Sequence, residues 1–420
     1  MTTRKELTIG LFGFGCVGQG LHRVLHNSTG IQARIKTICV KHKNKKRSLD
    51  DSCFTYTGAD ILNDPAINLV VELINDSKEA FEIVSTALRN GKNVVTANKK
   101  MIAEYFAELV KIQQETGSAL LYEASACGSI PIIRTLEEYY DNETLYSVSG
   151  IFNGTTNYIL TKTAQENLSY EKALKQAQEL GFAELDPKLD VEGYDAKYKL
   201  IIIAGHSYGV FPKPDEVLNL GIQHLSENDL AFAKKQNKKI KLVASAYRLE
   251  NQQVAMHVLP QLIDKEHLLY DVNNEYNAVI VEASFSDKQL FIGKGAGGNP
   301  TGSAVLSDIS ACSYEYKYEY KKRLQLSYEY NTRVSVEVNI DVEKETILPF
   351  ELTDKKVSGS HVTGFVPLNE LIRTRDEINK RGIFVLSTGN YRSEKTKKVF
   401  KTADALVEYL SEESREWHGI

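Results

Sequence analysis

Residues 7–18 read LTIGLFGFGCVG, an apolar run of strand character that ends in Gly13-Phe14-Gly15-Cys16-Val17-Gly18. The spacing fits G-x-G-x-x-G, and residues from about Val17 to His26 continue with helical character. In such a turn Gly13 allows the tight reversal, Gly15 lets backbone approach a pyrophosphate, and Gly18 lets helix and strand pack closely. The anion then sits on the helix N-terminus, where free amides and the helix dipole favour it. Glycine turns also arise for structural reasons alone. The strand before and the helix after favour dinucleotide binding, with Gly13, Phe14, Gly15, Cys16, Val17 and Gly18 along the cofactor.

Outward from this turn the first 130 residues alternate strand-like and helix-like segments. IKTICVK, a short element near Ile61, INLVVELI, a helix over SKEAFEIVSTALRNG, the strand KNVVTA, a helix from Met101 to Thr116 and the strand SALLYEAS follow in order. Apolar strands separated by helices predict a mostly parallel sheet covered on both faces. From Pro131 the pattern changes: helical stretches such as YEKALKQAQELG precede four β-prone segments, KIKLVASAYRL, QVAMHVL, NAVIVEASF and QLFIGKG. The expected class is α/β. A Rossmann-type domain occupies 1–130, with 300–322 packing back on it. An α+β substrate, catalytic and dimerisation domain spans 131–299, and a small α+β module spans 328–420. A helix is expected near Thr301, strands over RVSVEVNIDV and GIFVLST, and a helix over LNELIRTRDEINKRG. YEYKYEYKKR at 314–323 reads as a solvated linker or helix face.

Where an acid would hold the ribose 2′-hydroxyl of NAD, the second strand ends in Lys41, His42 and Lys43, followed by Lys45, Lys46 and Arg47. A basic rim suits a 2′-phosphate, so NADP(H) is expected in preference to NAD(H); the alternative is a solvated basic loop with no ligand. With a formal net charge of -4 the chain lacks the basic field of a nucleic-acid binder. No apolar run reaches the roughly 20 residues that cross a bilayer. Cys16, Cys39, Cys53, Cys127 and Cys312 are scattered without paired spacing. Together with the absence of a leader-like start, this predicts a cytoplasmic protein with neither membrane nor nucleic acid as partner. His22, His26 and His206 lie in expected helices without metal-ligand spacing.

The acids and lysines of AELDPKLDVEGYDAKYKLIIIAGH, 183–206, raise a separate question. Asp195 and Lys199 are four apart on one helix face, which suffices for an ordinary surface pair. The apolar LIIIAG that follows argues instead for a buried helix, where a lysine beside carboxylates is suited to proton transfer. Lys99, just beyond the strand KNVVTA, stands where ligands bind in open α/β sheets. Two cations beside an acidic cluster suit an amino-acid-like aldehyde or alcohol.

The ordered blocks GFGCVG, VVELI, KNVVTANK, YEAS with IPII, GIFNGTTNYIL, AQELGFAELDPKLDVEGYDAKYKL, YNAVIVEA and GKGAGGNPTGSAVLSDI resemble the homoserine dehydrogenase family over roughly the first 320 residues. That resemblance implies interconversion of L-aspartate 4-semialdehyde and L-homoserine with NAD(P)H. It implies Lys199 as proton donor, with Lys99 assisting and also near the cofactor. Glu184, Asp190, Asp195, Gly154 and Thr155 are implied on the substrate side, and Asn75 and Thr96 on the cofactor side, where the basic rim already places Lys41 and Lys43. It further implies a monovalent cation, Na or K, held by main-chain oxygens of Glu123, Ala126, Gly128 and Ile130, and a homodimer. The chain departs from the family pattern with Asn75-Asp76 after VVELI, ACGS before IP, and Gly302 where alanine is common, a change expected to weaken that helix start. Many relatives end in an ACT domain; RVSVEVNIDVEKETILPFEL has its first strand without the Asp, Pro, Gly segment, so a divergent ACT-like module is expected. The alternative to an enzyme is a catalytically inactive dinucleotide sensor.

Overall fold

The structure is a computed structural model that describes residues 5–393 and 399–401; the rest of the expected C-terminal module lies outside the described residues. In chain order come β1 (Leu7–Phe12), α1 (Cys16–His26), β2 (Ala33–Cys39), β3 (Phe54–Thr55), α2 (Ala59–Leu62), β4 (Leu69–Glu72), α3 (Ser77–Arg89), β5 (Asn93–Thr96), α4 (Lys99–Thr116) and β6 (Leu120–Leu121). Next are α5 (Ile132–Arg134), β7 (Leu145–Ile151), α6 (Gly154–Glu166), α7 (Tyr170–Glu179), α8 (Lys188–Val191), α9 (Tyr194–Tyr208), β8 (Leu218–Asn219) and α10 (Glu227–Lys235). Then follow β9 (Lys239–Leu249), β10 (Gln253–Ile263), β11 (Tyr276–Ala283), β12 (Asp287–Lys294) and α11 (Gly298–Cys312). The chain closes with α12 (Lys321–Gln325), β13 (Glu329–Tyr330), β14 (Val334–Asp341), β15 (Thr353–Ser358), β16 (His361–Pro367), α13 (Leu368–Lys380), β17 (Leu386–Ser393) and β18 (Val399–Lys401).

Two compact units result: Met1–Tyr139 with Lys294–Tyr320, and Tyr140–Gly293 with Lys321–Ile420. In the first, a parallel sheet has the order β3-β2-β1-β4-β5-β6. Every residue of β1 and β4 is buried, as a central parallel strand covered on both faces requires. The order reverses between β1 and β4, and the glycine turn lies at that switch point, beyond the carboxyl ends of the strands.

Helix α11 starts at Gly298, earlier than the expected Thr301, and crosses α1 at close range. A Cβ on Gly20 would stand 1.9 Å from the Gly298 carbonyl oxygen, and one on Gly302 2.7 Å from the Gly20 carbonyl carbon. Gly302 is therefore not a weak point of the helix: two backbones meet where any side chain would separate them. The strand expected over SALLYEAS is only Leu120–Leu121, because Glu123–Ser125 turns into a 3-10 segment.

The tyrosine run corrects a second expectation. Tyr318 and Tyr320 are 1% and 2% exposed, and the Tyr320 hydroxyl lies 2.9 Å from that of buried Tyr122. Gln113 fastens the segment by donating Nε2 to the Tyr318 carbonyl at 2.8 Å while its Oε1 accepts from the Leu120 amide at 2.9 Å. Tyr318 and Tyr320 face inward with Glu319 between them outward, whereas Tyr314 at the start of the run is exposed, so the run begins solvated and becomes a strap from Tyr318.

The second unit is built on a mixed sheet in the order β12-β11-β7-β9-β10-β17-β14-β16-β15, with β8 and β13 on β10 and β18 on β17. β9 and β10 form an antiparallel hairpin from Gln253↔Leu249 to Ile263↔Lys239. β17 joins β10 through a parallel bridge at Gln261↔Ser387. The strands after residue 330 therefore extend the same sheet. The predicted α/β class, with a parallel nucleotide-binding sheet and a second mixed sheet, holds. β7 and the β15–β16 hairpin are additional strands, and β17 begins at Leu386, later than GIFVLST suggests.

Candidate active site

At the glycine turn Gly13 has φ 92° and donates its amide to the Cys39 carbonyl at 3.0 Å. A Cβ there would meet the Leu73 oxygen at 2.6 Å, and one on Gly18 the Gly13 oxygen at 2.6 Å. Gly15 is different, since nothing lies within 4 Å of its added Cβ. It caps α1 without any side-chain hydrogen bond, and the first turn carries no acid. The helix amides are thus left for an anion. Around them lies a cleft of about 840 Å³ whose other walls include Lys41, Lys45, Lys46 and Arg47 after β2, and Asn75 after β4. Open backbone, an uncapped helix and a cationic rim fit a dinucleotide.

Phe14 is buried edge-on against Phe54. Cys16 and Val17 begin α1, Cys16 exposed and Val17 half-buried. Lys43 is not part of the cleft wall; its ammonium lies 5.1 Å from the Tyr56 ring centroid. Arg47 lines the cleft with its guanidinium over Phe54, donating to the Lys45 carbonyl at 2.9 Å and the His42 carbonyl at 2.6 Å. Lys41 pairs at 3.4 Å with Glu79, both exposed.

Beneath the cleft, Glu72 is fully buried and accepts from Thr96 Oγ1 at 2.6 Å and from the Ile74 amide at 2.6 Å. Burial pushes its carboxyl up to about 7. Asn98 caps α4 by accepting from the Met101 amide at 3.0 Å and holds the Ile74 carbonyl through Nδ2 at 3.1 Å. Lys99 follows as the first residue of α4, half-buried. Within VVELI, Glu72 carried no separate signal, because acids at strand ends are common.

In the second unit α9 is buried along nearly its whole length, and with it Asp195 and Lys199. The surface-pair alternative is thereby removed. Lys199 Nζ donates to Asp195 Oδ2 at 2.7 Å and to the Phe152 carbonyl at 2.6 Å. Asn153, the N-cap of α6, donates Nδ2 to Asp190 Oδ1 at 2.7 Å and to Asp195 Oδ2 at 2.9 Å, while its Oδ1 accepts from the Thr156 amide at 2.8 Å. One side chain both starts a helix and ties two acids together. In the sequence Asn153 carries no signal of its own beside its neighbours Gly154 and Thr155. Thr155 donates Oγ1 to the Phe182 carbonyl at 2.7 Å, and a Cβ on Gly154 would meet the Glu275 oxygen at 2.6 Å. Glu184 stands apart from this group: it is exposed, and its carbonyl accepts from Gln178 Nε2 at 3.1 Å.

The segment 123–130 is held by a buried ionic group. The Glu123 carboxylate accepts from the Ile133 and Arg134 amides at 2.8 and 2.9 Å, and its own amide donates to Asp308 Oδ2 at 2.8 Å. Burial, then the charge of Glu123, push the Asp308 carboxyl well above the usual range. Cys127 and Gly128 both have positive φ, 54° and 61°. A Cβ on Gly128 would lie 2.4 Å from the Lys294 oxygen, so glycine is required there. Cys127 is itself fully buried within this turn. Among the described residues, no hydrogen bond reaches the Ala126 or Gly128 carbonyl oxygens, whereas those of Glu123 and Ile130 accept from Ala126 and Ile132. A set of hard carbonyl oxygens fits a monovalent cation better than a transition metal.

Residues 131–310 match the family model described as homoserine dehydrogenase, and residues 13–123 the one described as homoserine dehydrogenase, NAD binding domain. The homoserine dehydrogenase of Bacillus subtilis is 38% identical over 316 residues, 73% of each chain. That of Synechocystis is 37% identical over 311 residues, 72% of each. The crystal structure of a homoserine dehydrogenase from Thiobacillus denitrificans superposes with a TM-score of 0.79 at 28% identity, over 91% of this chain and 98% of that one. A hyperthermophilic archaeal homoserine dehydrogenase in complex with NADPH superposes with a TM-score of 0.66 at 26% identity, over 74% of this chain and 99% of that one. With relatives this similar over nearly three quarters of its length, the chain belongs to the homoserine dehydrogenase family.

Proposed function

We propose that the protein interconverts L-aspartate 4-semialdehyde and L-homoserine, with NADP(H) preferred to NAD(H). The observation that carries this reading is the Lys199 ammonium, held between the Phe152 carbonyl and Asp195 in a buried setting beside Asp190. When bound, the nicotinamide supplies hydride to the aldehyde carbon or takes it back from the alcohol. Lys199 delivers a proton to the oxygen where negative charge appears, and Asp195 keeps that lysine aimed. Lys99, at the start of α4, takes the assisting role that family membership suggests. Asp190 and Asp195 hold the substrate ammonium, with Gly154 and Thr155 shaping the adjacent turn, and Glu184 joins them only if its segment moves from the exposed position described above.

Gly13, Phe14, Gly15, Cys16, Val17 and Gly18 hold the pyrophosphate side of the cofactor, with Asn75 and Thr96 nearer its reactive end. Lys41 and Lys43 were the expected contacts to a 2′-phosphate; the cleft lining favours Lys41 and Arg47 for that task. Main-chain oxygens of Glu123, Ala126, Gly128 and Ile130 are assigned to Na or K. A cytoplasmic homodimer completes the reading; among the described residues no helix is long and apolar enough to cross a membrane.

The test is steady-state homoserine oxidation at alkaline pH, with NADP and NAD each titrated in the presence of sodium or potassium. Turnover with a lower KM for NADP is the expected result. Turnover favouring NAD would keep the enzyme and remove the rim argument. Tight cofactor binding without turnover would replace the enzyme with a dinucleotide sensor.

A further inference from the structure

The helix that carries Lys199 also carries a second buried lysine, for which the reaction has no use. Lys197 is 1% exposed, with its ammonium 4.8 Å from the Tyr194 ring centroid. Two residues along an α-helix amount to a rotation of roughly 200°, so Lys197 points away from the side that presents Lys199. Among the described residues, no oxygen accepts a hydrogen bond from its Nζ.

A Cβ on Gly193, one turn before Lys197, would lie 3.7 Å from Asn219, and the side chain hydrogen-bonded to that asparagine is another cation. Arg375 on α13, with a side chain 14% exposed, donates Nη1 to Asn219 Oδ1 at 3.1 Å, but its buried Nε has no hydrogen-bond partner among the described residues. Asn219 belongs to β8, which packs against both α9 and α13, and its own Nδ2 is committed to the Glu192 carbonyl at 2.8 Å. Nearby acids do not compensate. Asp376 is 97% exposed and stays 3.9 Å from the guanidinium Nε, beyond hydrogen-bond range; Asp215, which attracts Lys197, is exposed as well. Burial, and then the charge of Arg375, lower the Lys197 ammonium to about 7. A buried ammonium without an acceptor, beside a half-buried guanidinium whose Nε is buried and unpartnered, is costly unless something negative joins them.

We propose that Lys197 and Arg375 form a binding site for a small oxyanion, a carboxylate or a phosphate, at the junction of α9, β8 and α13. One planar or tetrahedral oxyanion supplies acceptors to both unfilled donors, and the pairing of guanidinium and ammonium with charged oxygens gives the strongest class of hydrogen bond. Tyr194 forms the apolar wall beside the ammonium. Since Asp195 and Lys199 lie within a turn of Lys197, an occupied site braces the part of α9 that bears them.

The test uses the full chain and does not depend on turnover. Thermal unfolding and isothermal titration are followed with sodium phosphate and with sodium acetate, each against sodium chloride at equal ionic strength, for the parent, Lys197→Met and Arg375→Gln. The expected result is a saturable rise in the unfolding midpoint with one or both oxyanions, and binding weakened at least about tenfold in each variant. A response to acetate alone assigns the site to carboxylates, and one to phosphate alone to phosphate esters or free phosphate. Lys197→Met removes a buried charge and should fold without ligand; if Arg375→Gln does not fold, Lys197→Met alone decides. No saturable response beyond that of chloride, or equal binding by parent and Lys197→Met, overturns the proposal.

Discussion

Asn153 lets two carboxylates share one pocket. Its amide nitrogen serves Asp190 and Asp195 together while its oxygen caps α6, so the acids are held close without being left to repel each other. Asn153→Ser retains a capping oxygen and removes the amide donor; the expected outcome is a rise in the homoserine KM of about tenfold or more with cofactor binding unchanged. Lys199→Ala should instead cut kcat by about 10² to 10⁴ with the same cofactor affinity, as loss of a positioned proton donor does. Equal losses in cofactor binding and turnover, measured by titration and steady-state kinetics, would remove both assignments. Glu72 carries a pH prediction. Its carboxyl rises from 4.5 to about 7 on folding, so the native state binds more protons across that window. Its stabilising contribution is therefore complete below pH 4.5 and is lost as pH rises through about 7, a change on the order of 3 kcal/mol. Glu72→Gln should flatten this decline in denaturation curves taken across the window, whereas parallel curves for parent and variant would show that Glu72 is not the titrating group.

At the scale of elements, the tyrosine strap is the part whose stability can be read most directly. Tyr320→Phe removes the 2.9 Å hydrogen bond to the buried Tyr122 hydroxyl and should cost about 0.5–1.5 kcal/mol in chemical denaturation. The double variant with Tyr122→Phe should cost less than the sum of the two, because it removes both polar groups together; strict additivity would mean that the pair does not interact. The strap also shows why some elements were legible and others were not. The glycine fingerprint is local, with turn, cap and helix start within a dozen residues, so β1, α1 and the cofactor cleft follow from the chain alone. Asp195 and Lys199 were legible as a pair because helical spacing is fixed. Whether Tyr318 and Tyr320 point inward depends on Gln113 and Tyr122, some two hundred residues away, and nothing local records it. Gly302 was misjudged for the same reason, since its partner is Gly20 on another helix. β7, with serines and a glycine among its apolar residues, becomes a strand because β9 and β11 flank it.

At the scale of the whole molecule, the described strands after residue 330 share one core with the strands before them. Leu218, Leu220, Tyr247, Leu249 and Leu259 lie in a single buried cluster with Val334, Val336, Val338, Ile340, Leu371, Val385 and others. β10 meets β17 across this join, so removing the later strands would uncover a sheet edge together with the apolar side chains beneath it. Each large apolar side chain exposed forfeits about 1.5–3 kcal/mol. Over those five residues the loss is comparable with the entire stability margin of a typical domain, about 5–15 kcal/mol. A chain ended after Leu326 should therefore aggregate, or unfold at a markedly lower midpoint while binding a hydrophobic dye, even though every residue assigned to cofactor and substrate remains. A truncated protein that stayed monodisperse with an unchanged midpoint and unchanged homoserine turnover would show the reverse, that the C-terminal strands are an appendage and that the first 326 residues close their own core.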